Sequence, residues 1–135
     1  MQSSFEEEHL DVLQNIEWSI LTVYRAHPDL TDYQVDSALE ALIRSYQREK
    51  TGGQSGPPAL KTDLAKAVYA AVKTSCDFRM GRENAVDEEN QPISVEPVSI
   101  DEIQACLKRV RKSVQTWNKR SGTRGYLDYI SKFIP

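Results

Sequence analysis

No stretch of this chain approaches about eighteen consecutive uncharged apolar residues, so no membrane-spanning helix is predicted. Cysteine is scarce. Cys76 and Cys106 fall inside helical patterns with no CxxC pair and no metal-ligand spacing, which predicts buried free thiols rather than a disulfide or a metal centre. Histidine is equally sparse. Glu6 to His9 is the single Glu-x-x-His, and a carboxylate-bridged di-iron site in a helical bundle needs two. A nucleophile would need a histidine base held by a third group, yet Cys76, Cys106, His9 and His27 share no such pattern. There is also no Gly-x-Ser-x-Gly and no glycine-rich phosphate loop. The acids stand in solvated runs, not singly within apolar stripes where burial would raise a pKa. No catalytic residue, no metal ligand and no cofactor is therefore expected. The opening residues MQSSFEEEHL lack the basic and then apolar order of a signal peptide, which points to a cytoplasmic protein. No period of 20 to 50 residues repeats.

What the chain does have is charge sorted into blocks. Its net charge of −3 resolves into −7 over residues 1–49, +4 over 50–82, −7 over 83–102 and +7 over 103–135. Such segregation marks either a polyanion site or two parts of one fold that attract each other.

It also has helical periodicity with written ends. Ser4 and Glu7 can form a capping box for a first helix ending at Pro28, with Phe5, Leu10, Leu13, Ile16, Ile20, Leu21 and Tyr24 as its apolar stripe. Thr31 and Gln34 form a second box, and Val35, Leu39, Leu42, Ile43 and Tyr46 supply the buried face of a second helix. The loop between them is short, which predicts antiparallel packing of the pair. A third helix is expected from about Pro58 to Met80. Its apolar arc is broad and its alanines are many, placing it mid-bundle or at a subunit contact. Residues 83–98 are acidic and carry Pro92 and Pro97, so a flexible loop is expected there.

The strongest pattern runs from Ser99 to Arg120. Ile103, Leu107, Val110, Val114 and Trp117 are spaced four, three, four and three apart, one helix face held over four turns. Lys108, Lys112 and Lys119 fall opposite, with Arg109, Arg111 and Arg120 on the flanks. After Ser121–Gly125 a short helix bears Tyr126, Tyr129, Ile130, Phe133 and Ile134. The expected fold is all-α: one domain over 1–135, a four-helix up-down bundle with a short C-terminal fifth helix.

Two surfaces could carry function. Trp18 stands on the polar side of the first helix among Asp11, Gln14, Thr22 and Arg25, where a large aromatic suits a protein partner and most economically a second copy of the chain. That reading makes the protein a non-enzymatic interaction module, a homo-oligomer and in the simplest case a dimer. The alternative is a nucleic-acid or phosphate site built from Lys108, Arg109, Arg111, Lys112, Lys119, Arg120 and Arg124, with backbone amides of the turn before the last helix holding phosphate.

Overall fold

The computed structural model of the chain describes residues 4–52, 62–81, 89 and 98–133, the side chains of 77–81 and 133 excepted. The expected acidic loop at 83–98 and the start of the third helix at Pro58 lie almost wholly outside these residues. Among the described residues all regular structure is helical: α1 Phe5–Glu8, α2 Leu10–Ala26, α3 Asp32–Lys50, α4 Asp63–Gly81, α5 Ile100–Ser121 and α6 Gly125–Phe133. None of these helices is long and apolar enough to cross a membrane.

Local chemistry explains where the helices start. Ser4 Oγ accepts the Glu7 amide at 3.2 Å, and Ser99 Oγ accepts that of Glu102 at 3.1 Å. At Thr31 both halves of the capping box form. The Thr31 amide donates to Gln34 Oε1 at 2.9 Å, and the Gln34 amide donates to Thr31 Oγ1 at 3.4 Å. Thr62 Oγ1 accepts from the Ala65 amide at 3.1 Å ahead of α4.

The expected first helix is broken once. His9 (φ −119°, ψ 19°) leaves helical geometry and separates α1 from α2. Its Nδ1 donates to the Phe5 carbonyl at 2.9 Å, and its ring stacks on Phe5 at 4.3 Å. The ladder continues around the bend, from the His9 amide to Phe5 O and from the Leu13 amide to His9 O. His27 (φ −132°, ψ 81°) leaves helical geometry before Pro28, whose ring disfavours a helical residue ahead of it, and closes α2.

Packing follows the apolar faces, with partners the period alone does not name. α2 lies mainly on α4 and α3 mainly on α5, with lighter contacts from α2 to α5 and from α3 to α4. α2 and α3 share a short turn but make little direct contact, so they stand across a diagonal and not side by side. At one end Lys50 pairs with Asp101, and His9 Nε2 lies 3.5 Å from Glu102. At the other, the Asp32 amide donates to Thr123 O at 2.8 Å and Tyr24 Oη donates to Asp128 at 3.1 Å. These contacts run α2 and α5 in the same direction and α3 against both. The all-α class matches the sequence expectation; in a strict up-down order the first and last long helices would instead be antiparallel. α4 is not central. It buries Leu64, Ala65, Val68 and Val72 but turns Lys66, Ala70, Lys73 and Thr74 to solvent.

The α5–α6 corner depends on two glycines. Gly122 ends α5 at φ 86°, a left-handed conformation that costs a glycine little. A Cβ on Gly125 would stand 2.4 Å from the Trp117 carbonyl oxygen, so only glycine lets α6 turn back this tightly on α5.

Candidate functional site

The outer face of α2 is centred on Trp18. Val12, Leu13, Ile16, Ile20 and Leu21 point into the core, while Asp11, Gln14, Trp18, Thr22 and Arg25 lie on the solvent side. At about 100° per residue those five fall within some 80° of one another, with Trp18 in the middle. Trp18 is 43% exposed, one of three large exposed apolar side chains among the described residues. Leu10 is a second, at 49%, and this corrects the buried stripe expected for the first helix. The bend at His9 begins α2 at Leu10, and Val12 takes the core position instead. One flank of the face is pinned, since Asn15 Nδ2 donates to Ser75 Oγ on α4 at 2.7 Å. Thr22 Oγ1 donates to the Trp18 carbonyl at 2.8 Å, leaving its lone pairs to accept from outside.

The basic third does not converge. Arg109 pairs with Glu6. Arg111 grips Asp36 through Nε at 2.9 Å and Nη2 at 3.4 Å, with Glu40 at 3.6 Å and Gln115 also bonding Asp36. Its pKa is raised, first by that hydrogen bond and then by the Asp36 and Glu40 charges. Arg120 lies 5.5 Å over Trp117, which stacks on Tyr129 at 4.4 Å. Arg124 is exposed in the turn before α6. Lys108, Lys112 and Lys119 are exposed along one row of α5. Lys112 and Lys119, with Gln115, Thr116 and Asn118, line an open depression of about 380 Å³. Thus the acidic first block meets the basic last block inside one fold, and three of the seven candidate bases form a continuous outward ridge.

The amides offered to a phosphate are already occupied. Asp32, the first residue of α3 and wholly buried, accepts the Tyr126 amide on Oδ2 at 2.9 Å and the Leu127 amide on Oδ1 at 3.3 Å. The Gly125 and Asp128 amides go to Gly122 O and Arg124 O. Asp32 therefore caps α6 from another helix, and the positive end of α6 faces a carboxylate instead of an incoming anion.

The sequence reading missed one buried acid, Asp32, and one half-buried acid, Glu17. Burial pushes the Asp32 carboxyl above its ordinary value, against the two amides that hold it down. Glu17, on α2 between the core and the exposed strip, is raised by burial. Its charge in turn raises the Tyr126 hydroxyl, which burial has already lifted and which lacks a hydrogen-bond partner among the described residues. Glu17 could have been found by its position among Leu13, Ile20, Leu21 and Tyr24. Asp32 looked like an ordinary first-turn acid, and nothing local points to α6.

A raised folded pKa means that ionising Glu17 costs more in the folded than in the unfolded state. The penalty is absent below the ordinary glutamate pKa of about 4.3 and sets in as pH rises through the folded value. Glu17→Gln is therefore expected to raise the thermal midpoint at pH 7 and to leave it unchanged near pH 3. Calorimetry at the two pH values checks this; an equal shift at both would mean that packing, not charge, controls Glu17.

Among the described residues no three His, Cys, Asp or Glu side chains gather as a metal site. No family model matches the chain, and no curated protein or solved structure matches it at a significant level.

Proposed function

We propose that this protein is a non-enzymatic association module, cytoplasmic and self-associating, whose contact surface is the outer face of α2. The observation that carries this is Trp18, a residue type enriched at interface hot spots, held 43% exposed at the centre of an otherwise polar helix face. A photoreactive side chain at Gln14, beside Trp18, tests it in the full chain. The expected result is a crosslinked dimer of the chain that disappears when Trp18→Ala is added. The same probe at Lys66 on α4 should give none. Equal yields from both positions, insensitive to Trp18, would overturn the reading.

A second reading rests on the lysine ridge. Lys108 and Lys112 are about 6 Å apart along the axis and Lys119 about 10.5 Å further, a row of cations suited to a polyanion. Binding to generic DNA and RNA decides it. A ridge that neutralises phosphates loses affinity steeply between 50 and 200 mM salt. No binding at low salt removes this reading.

A further inference from the structure

We infer that the lysine ridge of α5 docks on the phosphate backbone of a nucleic-acid double helix, without reading its sequence. The inference rests on the second reading above and adds which polyanion binds and through which contacts. The bases of α5 divide into two sets. Arg109 and Arg111 pair with Glu6 and Asp36, and Arg120 lies over the Trp117 ring. Lys108, Lys112 and Lys119 are exposed and make no ion pair among the described residues. No acid occurs between Ile103 and Leu127, so nothing three or four places along α5 offsets them. Lys108 and Lys112, four apart, repel each other, and a bound polyanion would relieve that repulsion. The division also follows chemistry. The arginine fork suits a carboxylate, as Arg111 shows on Asp36, whereas lysine is a point charge suited to phosphate.

The spacing favours two strands over one. Lys108 and Lys112 are about 6 Å apart along the axis, and Lys119 is about 10.5 Å beyond Lys112. Gln115, Thr116 and Asn118 fill that interval and line the open depression with the two lysines. Gln115 is itself tied to Asp36, whose charge Arg111 matches. A cation pair, a neutral interval and a further cation suit phosphates on two sides of a groove, and the major groove of B-DNA is roughly 12 Å wide. A single strand is better held where rings stack on its bases. Trp117, the one aromatic residue of α5, is half-buried against Tyr129 and beneath Arg120, on the seam and not on the ridge. Contacts from lysine to phosphate carry no base information, so the binding is sequence-neutral.

Anisotropy titrations of the full chain test this, with a short DNA duplex, the RNA duplex of the same sequence, one of the DNA strands and polyglutamate as probes. A duplex should bind at least about fivefold more tightly than the strand, and the tighter of the two duplexes identifies the source. Three neutralised phosphates give a slope of about −2.7 in log affinity against log salt, or a fall of about fortyfold between 50 and 200 mM. Lys112→Gln combined with Lys119→Gln should flatten that slope to about −0.9. Lys66→Gln combined with Lys73→Gln removes as much charge from the exposed side of α4 and should leave the slope unchanged. Circular dichroism should show wild-type helix content in both double variants. Equal binding of strand and duplex, or polyglutamate bound as tightly as duplex, overturns the double-helix inference and leaves the polyanion reading standing. A slope that the α5 variant does not move, or that the α4 variant moves as much, takes the contact off the ridge and overturns the inference. No binding to any of the four probes at low salt removes the polyanion reading as well.

Discussion

Leu107→Ala is expected to lower the unfolding free energy by about 2–5 kcal/mol, read as a fall in denaturation midpoint with an unchanged slope. Leu107 is fully buried on α5, the helix that touches α2, α3 and α6 at once. Truncation removes apolar area and leaves a cavity between helices held apart by their other neighbours, so collapse can recover only part of the loss. Within that range the outcome should lie high, because Leu107 is fully buried in the core. Lys112→Ala, about one turn away on the outer ridge, should cost under about half a kcal/mol. A costlier lysine would reverse the assignment of the two faces of α5.

The seam containing Leu107 was legible because burial by period is local information. Ile103, Leu107, Val110 and Val114 are all buried, and Lys108, Lys112 and Lys119 are all exposed. Trp117, the last member of the pattern, is only half-buried, since the seam runs out at the bundle end and the ring is covered by Tyr129 and Arg120. The caps at Ser4, Thr31 and Ser99 were legible for the same reason, each being a contact over three residues. Partners are different. A period says which face is buried and not against what, so the diagonal placement of α2 and α3 and the outer position of α4 could not be read from it.

The candidate surfaces divide along the same line. That Trp18 faces away from the core follows from its angle on the helix and holds in the structure. The basic third looked like a site because Arg109 and Arg111 appear unopposed in their own segment. Their partners Glu6, Asp36 and Glu40 are some seventy to a hundred residues away in sequence. Only the part-buried, two-pronged Arg111–Asp36 pair is placed to add to stability, by up to about 1 kcal/mol. These pairs fix the orientation of α1 and α3 on α5 more than they stabilise the bundle.

Asp32→Ala is expected to cost about 3 kcal/mol and to release α6 from the bundle end before the rest unfolds. The carboxylate spans 94 residues of sequence to take the Tyr126 amide and 95 to take that of Leu127. Removing it leaves two buried donors without acceptors, at about 1–3 kcal/mol each, and strips a negative charge from a helix N-terminus. Against this, alanine abolishes the cost of burying a carboxylate, the same cost that raises the Asp32 pKa, which keeps the net effect nearer the low end of that sum. Asp32→Asn should fall between, since its carbonyl oxygen can accept one amide while its NH₂ opposes the other. The local consequence is the sharper test. Tyr126, Leu127 and Ile130 are buried only while α6 is docked, and Gly125 lets it dock by passing close to Trp117 O. Hydrogen exchange at the Tyr126 and Leu127 amides should therefore accelerate more than at Leu39 or Leu107. If Asp32→Ala instead costs under about 1 kcal/mol and those amides stay protected, apolar packing alone holds α6, and the cap from α3 adds nothing to its docking.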